Sequence, residues 1–259
     1  MIKALFKHIY KYYKDTFMLA IAGVVIGVLV GIIDAAFGLG LNACTSIQTK
    51  YFWYLIWFLP LGGVFIWFIY HQFGKSVANG MKMVFHVGLG KNTKLPIRMV
   101  PLSVIGTWTT HLFGGSAGRE GVAVQIGAAV SNNIGRLVDK TIDIENSRKM
   151  FLITGMAAGF SGLFCTPLAA IFFALEVLVA GKLEYHALIP ATVASISAAF
   201  TSRALGLRKF HINILETLNY HPSTYNAVLL LKLTAMGLVF GLVGSLFALI
   251  LRYLRLKFA

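Results

Sequence analysis

Long stretches without a single charged residue alternate with short basic connections, and the stretches have helical length. Thr16–Ile33 is uncharged, and Asp34 is the only charge from there to Lys50. Tyr51–Gly74 and Met99–Gly118 carry none. Arg119 and Glu120 then interrupt, and Gly121–Gly135 is uncharged but short. Met150–Leu175 is uncharged yet divided by Pro167, Tyr185–Ser202 is uncharged, and Thr217–Leu251 holds only Lys232. A membrane-crossing helix needs about 20 apolar residues, so the pattern predicts roughly eight helical segments in or through a bilayer. A transmembrane β-barrel is excluded, because its strands would alternate in polarity over about ten residues.

Several segments are too short to span and break at Gly or Pro, notably Gly114-Gly115-Ser116-Ala117-Gly118 and Cys165-Thr166-Pro167. Irregular backbone at membrane depth survives only where it is buried in protein or lines a polar cavity. Short Gly- or Pro-interrupted segments therefore predict discontinuous helices of the kind transporters use.

Composition agrees. The 259 residues are 58% hydrophobic and 12% charged, against about 45–50% and 25% in soluble domains, and the mean hydropathy is +0.77. A soluble enzyme and a disordered chain are both excluded. The net charge of +14 would suggest nucleic acid in a soluble domain. Here the basic residues lie between apolar runs, where they anchor loops at an anionic membrane surface, so no nucleic-acid partner is implied. Lys3, Lys7, Lys11 and Lys14 precede the first span, and only Lys50 follows it in the Gly38–Lys50 connection. This asymmetry puts the N-terminus in the cytoplasm. No small-residue cleavage site follows the N-terminal segment. Cys44 and Cys165 form no disulfide framework and have no metal-ligand neighbours.

Of nine acids, Asp34, Glu120 and Glu176 fall within the apolar part of the chain. A charge there costs several kcal/mol, about 2.5–3.5 on insertion scales, which makes each a functional candidate. Glu120 is the sharpest. Glycines precede it and the helix-forming run Ala123–Gly127 follows, which places it at a buried helix start. Such a start carries partial positive charge and unpaired amides, and it attracts anions. A carboxylate there can occupy the site itself and leave on protonation, so one proton competes with one anion. Asp34 lies near the end of its span and reads as interfacial. Glu176 reads as a structural brace. His111 reads as a helix–helix hydrogen-bond partner. Ser116 would need a His base on another helix to act as an intramembrane hydrolase nucleophile, and His111 is too near in sequence. No zinc or phosphate-loop motif occurs, so no metal, cofactor or enzyme activity is expected.

The segment GGSAGREGVAVQIGAAVSNNIGRL closely resembles the helix that bears the gating glutamate of the CLC family of anion channels and proton–anion exchangers. Gly118-Arg119-Glu120-Gly121 matches the family's G(K/R)EGP, with Val122 in place of the proline. GMAAGFSGLFCTPLAAIFFALEV resembles the next helix pair, with Pro167 and Glu176 in matching places. Chloride-handling members read GSGIP upstream. Gly80-Met81-Lys82-Met83-Val84 resembles instead the GMNLI or GNNLI of the fluoride-exporting branch, with Lys82 for the expected Asn. Val177 stands where chloride exchangers carry a second acid.

The resemblance implies an all-α polytopic membrane protein with the CLC-type inverted-repeat transporter fold. Residues 1–15 would be a cytoplasmic amphipathic helix, 16–202 the first repeat and 225–257 the start of the second, the remainder of which is absent. It implies fluoride export coupled to proton exchange, with Glu120 as gate and proton carrier. Gly118, Arg119, Gly121 and Val122, with Gly80 and Met81, would form the ion site, and Arg119 would brace the loop. A homodimer in a bacterial plasma membrane is implied. The rival readings are a chloride channel or chloride/proton exchanger of the same family, and a truncated fragment that transports nothing.

Overall fold

The computed structural model describes residues 2–91, 94–138, 147–179, 181–208 and 227–258. Two compact units emerge, Met1–Phe210 and His211–Ala259. Every regular element among the described residues is helical.

In the first unit, α1 runs from Ile2 to Lys50 without interruption. No proline occurs before Pro60 to break it. At 1.5 Å per residue, its apolar part from Lys14 to Lys50 is about 55 Å long, well beyond the roughly 30 Å of a bilayer core. Two sequence readings are corrected here. Gly38–Lys50 is helix and not a connection, and Asp34 lies inside the helix and not at its end. The fold continues with α2 (Phe52–Leu55), a 3₁₀ turn (Ile56–Phe58) and α3 (Leu59–Phe73). After these come α4 (Met81–Gly88) and α5 (Met99–Leu112). Met99–Gly118 is one uncharged stretch, but its helix stops at Leu112. Next are α6 (Glu120–Val138), α7 (Ser147–Phe164), α8 (Pro167–Glu176) and α9 (Leu188–Ala204). Pro60, Pro101, Pro167 and Pro190 all fall in the first three residues of their helices, where a missing N–H costs nothing.

Small residues bring the helices together. Gly23, Gly27 and Gly31 form a stripe on α1 that lies against the backbone of Pro190, Ala194 and Ala198 on α9. A side chain at Gly23 would sit 2.9 Å from the Pro190 carbonyl oxygen, and one at Gly31 2.7 Å from that of Ala198. Backbones this close replace hydrophobic burial as the source of cohesion between membrane helices. α6 and α7 pair the same way: Gly127 faces Gly155, and Gly159 faces Ala123. The hydroxyl of Ser161 on α7 donates to the Ser195 carbonyl on α9 at 2.8 Å. Ser195 in turn donates to the Pro167 carbonyl at 3.0 Å.

The Trp108 indole on α5 donates to the Phe37 carbonyl on α1 at 3.0 Å, and its ring fills the space over Gly40. Gly40→Ala puts a methyl into that ring. It should cost about 1–3 kcal/mol, read as a lower Tm and altered tryptophan fluorescence. An unchanged Tm would show that the indole moves aside freely.

The second unit contains α10 (Ala227–Phe258), whose described side chains are all exposed within this chain. The sequence reading of this segment began at Thr217, and residues 217–226 lie outside the described ones. Lys14–Lys50, Phe52–Phe73 and Ala227–Leu254 are long and apolar enough to cross a membrane.

Candidate ion-binding site

The loop before α6 is built by the end of α5. Gly114, at φ +82°, takes the left-handed conformation that closes a helix. Its N–H bonds the His111 carbonyl at 3.1 Å, and the Gly115 N–H bonds that of Thr110 at 2.8 Å. The chain then crosses Ser116–Arg119 and turns into α6, where the Ala123 N–H closes the first turn on the Arg119 carbonyl at 3.0 Å. Glu120 is the first helical residue, as the glycine pattern predicts. The amides before it in this turn, those of Glu120, Gly121 and Val122, have no helical carbonyl one turn back to receive them.

The Glu120 carboxylate folds back over its own helix start: a side chain at Gly118 would meet its Oε2 at 3.1 Å. Glu120 is exposed in this chain, where the sequence reading expected a buried acid. Arg119 makes no ion pair with it among the described residues. Its guanidinium lies over the Phe164 ring, 5.5 Å from the centroid.

A second helix start lies across a cavity from the first. Gly80, at φ +48°, precedes α4, which begins at Met81. A residue with a Cβ is strained at that angle. The cavity, of about 280 Å³, is lined by Gly80, Ala117, Val122, Ser103, Thr107 and Gln125 among others. Gly80 and Val122, taken as ion-site residues from sequence, thus share one space. Gly118, Arg119, Gly121, Met81 and Glu120 do not line it. Met81 is half-buried against the core.

Gln125 was not singled out by the sequence. The Ser103 hydroxyl donates to its Oε1 at 3.1 Å. Its side-chain amide lies 3.6 Å from where a Cβ on Gly80 would be, and 4.0 Å from one on Gly121. It is therefore the polar group between the two helix starts. Its place one turn after Gly121 was a readable signal.

The other candidates fall elsewhere. The His111 Nδ1 lies 2.9 Å from the Thr107 carbonyl on its own helix, so the interhelical role is corrected. Glu176 accepts a hydrogen bond from the Gly181 N–H at 3.1 Å, beyond the end of α8. Asp34 is 0% exposed, pressed against Gly162 of α7, with neither carboxyl oxygen hydrogen-bonded. That contradicts the interfacial reading, because α9 and α7 cover this part of α1. No group of three or more metal-ligating side chains occurs among the described residues.

A family profile described as "Voltage gated chloride channel" matches residues 62–258. The chain belongs to this CLC family. It is 38% identical over 230 residues to a "Chloride/fluoride channel protein" of Pseudomonas syringae pv. tomato, covering 89% of this chain and 49% of that one. It is 33% identical over 157 residues to the "H(+)/Cl(-) exchange transporter ClcA" of Citrobacter koseri, covering 58% of this chain and 30% of the relative. A solved structure of a CLC-type fluoride/proton antiporter superposes with TM-score 0.78 at 43% identity, covering 88% of this chain and 55% of that chain. The chain spans about half the length of the Pseudomonas protein and of the antiporter. It is a CLC-type, all-α integral membrane protein.

Proposed function

We propose that this CLC protein takes part in anion transport, exporting fluoride in exchange for protons. In this reading Glu120 is the gate and proton carrier. The observation that carries it is a carboxylate curled over the first turn of α6, beside a cavity onto which the start of α4 also opens. Two positive helix ends favour an anion between them. The carboxylate occupies the near end while ionised and withdraws once protonated, so an anion and a proton exclude each other there. Gln125, Gly80 and Val122 supply the polar and backbone lining, and Met81 sets the position of the α4 start. Gly118 and Gly121 leave room for the carboxylate to move, and Arg119 holds the preceding loop against Phe164.

The branch is argued from Gly80-Met81-Lys82 in place of GSGIP, from Val177, and from the likeness to a fluoride/proton antiporter. The domain reading belongs here too: residues 1–15 as a cytoplasmic helix, 16–202 as a first repeat and 225–257 as the opening of a second, in a homodimer within a bacterial plasma membrane. A fluoride-to-chloride flux ratio measured in liposomes tests the substrate: fluoride is expected to dominate, and a chloride preference would favour the chloride-handling reading.

Met81 offers a second check. Shortening a buried Met to Ala costs about 2–5 kcal/mol. Met81 is only half-buried, so Met81→Ala should lie near the low end while changing fluoride flux more than folding. Unaltered flux in a folded Met81→Ala protein would assign Met81 to packing alone.

A further inference from the structure

The turn that joins α1 to α3 has two unlike faces. Residues 51–58 run through α2 and the 3₁₀ turn directly into α3, and helical spacing sorts their side chains. Phe52 and Ile56, with Leu59 at the start of α3, face the protein. A Cβ on Gly114 would lie 3.2 Å from Ile56 Cδ1 and 3.9 Å from the Phe52 ring, and one on Gly115 would lie 3.1 Å from Leu59 Cδ1. These two glycines open the loop that leads to α6, so the turn bears directly on that loop. Trp53, Tyr54 and Trp57 take the other face, where they are 78%, 75% and 80% exposed. No side chain of α2 or the 3₁₀ turn is buried.

Three large rings on one surface need a partner, and the chain on either side says which. Lys14–Lys50 and Phe52–Phe73 are both long and apolar enough to cross a membrane, so the turn between them falls at a membrane face. Lys50 is the only charged residue between Asp34 and Lys75, and it marks the same level, with its ammonium 5.3 Å from the centre of the Tyr51 ring. Trp and Tyr concentrate where hydrocarbon meets headgroups, because the ring is apolar while its N–H or O–H is not. The length of α3 agrees. At 1.5 Å per residue, Trp67 lies about 15 Å beyond Trp57 and Phe73 about 24 Å beyond it, close to the roughly 30 Å of a bilayer core. Exposed Lys75 follows as the first charge at the far end. We propose that Trp53, Tyr54 and Trp57 form an interfacial anchor seated in the phospholipid headgroup layer. The membrane surface then supports the loop before α6 through Phe52, Ile56 and Leu59. The inference needs only an integral membrane protein and depends neither on Glu120 nor on fluoride.

The test is tryptophan quenching in liposomes of phosphatidylcholine brominated either high on the acyl chains, near the headgroups, or low, near their methyl ends. Trp53→Phe with Trp67→Phe leaves Trp57 and the half-buried Trp108. Trp53→Phe with Trp57→Phe leaves Trp67 and Trp108. The triple exchange leaves Trp108 alone and supplies the signal to subtract. The exchanged residues are all exposed, so these variants keep the fold. Trp57 should lose more emission to the high bromines than to the low ones, and Trp67 should show the reverse. A Trp57 no shallower than Trp67 would overturn the proposal. Quenching of Trp57 by neither lipid would overturn it too, and is the result expected if a protein chain covers the turn.

Discussion

Gly155→Val is expected to leave little folded protein. A side chain at Gly155 would enter the space of the Gly127 carbonyl oxygen and the Ser131 side chain on α6. The first of these is helical backbone, which has no rotamer to escape into. The two helices must therefore separate, and with them go the reciprocal contacts of Gly127 with Gly155 and of Gly159 with Ala123. Overpacking a tight core costs about 1–3 kcal/mol when neighbours can shift. Here they cannot, so about 3 kcal/mol or more is expected, a large share of the roughly 5–15 kcal/mol that holds a typical domain together. The helix displaced is the one that begins at Glu120 and carries Val122 and Gln125. Size-exclusion profile and Tm in detergent measure the effect. A monodisperse Gly155→Val protein with unchanged Tm would mean that α6 and α7 do not pack as closely as described.

Glu120→Gln is expected to reduce proton coupling to background. The substitution keeps size and shape but removes the group that titrates. A neutral amide still covers the α6 start, yet its affinity for the site no longer changes with a proton. A ligand shifts an equilibrium only through its differential affinity for two states, and after this change protons have none to offer. Passive fluoride leak will then remain or vanish according to how tightly the amide caps the helix, while pH-driven flux should be absent in both cases. Intact pH-driven fluoride transport by Glu120→Gln would remove Glu120 from the mechanism.

What could be read from the sequence divides along physical lines. The start of α6 at Glu120 and the break at Cys165–Pro167 were legible, because glycine, proline and charge act locally on the backbone. Cys165 takes φ +53° at that break, the conformation that ends a helix. The position of Asp34 was not legible. Its burial depends on Gly162, more than a hundred residues away, making room for a carboxyl on α1. A charge at the end of an apolar run looks the same in sequence whether water or another helix covers it. The resemblance implies Arg119 as an ion-site residue that braces the loop, and its side chain goes to Phe164, a contact set by the α7–α8 break that the motif alone does not reveal. The role of Gln125 was not legible either, since its significance comes from Gly80 and Ser103 across the cavity.

The most direct measurement is of proton movement driven by fluoride. Liposomes containing the protein, loaded with fluoride and a pH reporter and diluted into fluoride-free buffer, should acidify inside as fluoride leaves, and Glu120→Gln liposomes should not. Fluoride loss without acidification, or equal acidification with Glu120→Gln, would contradict the account.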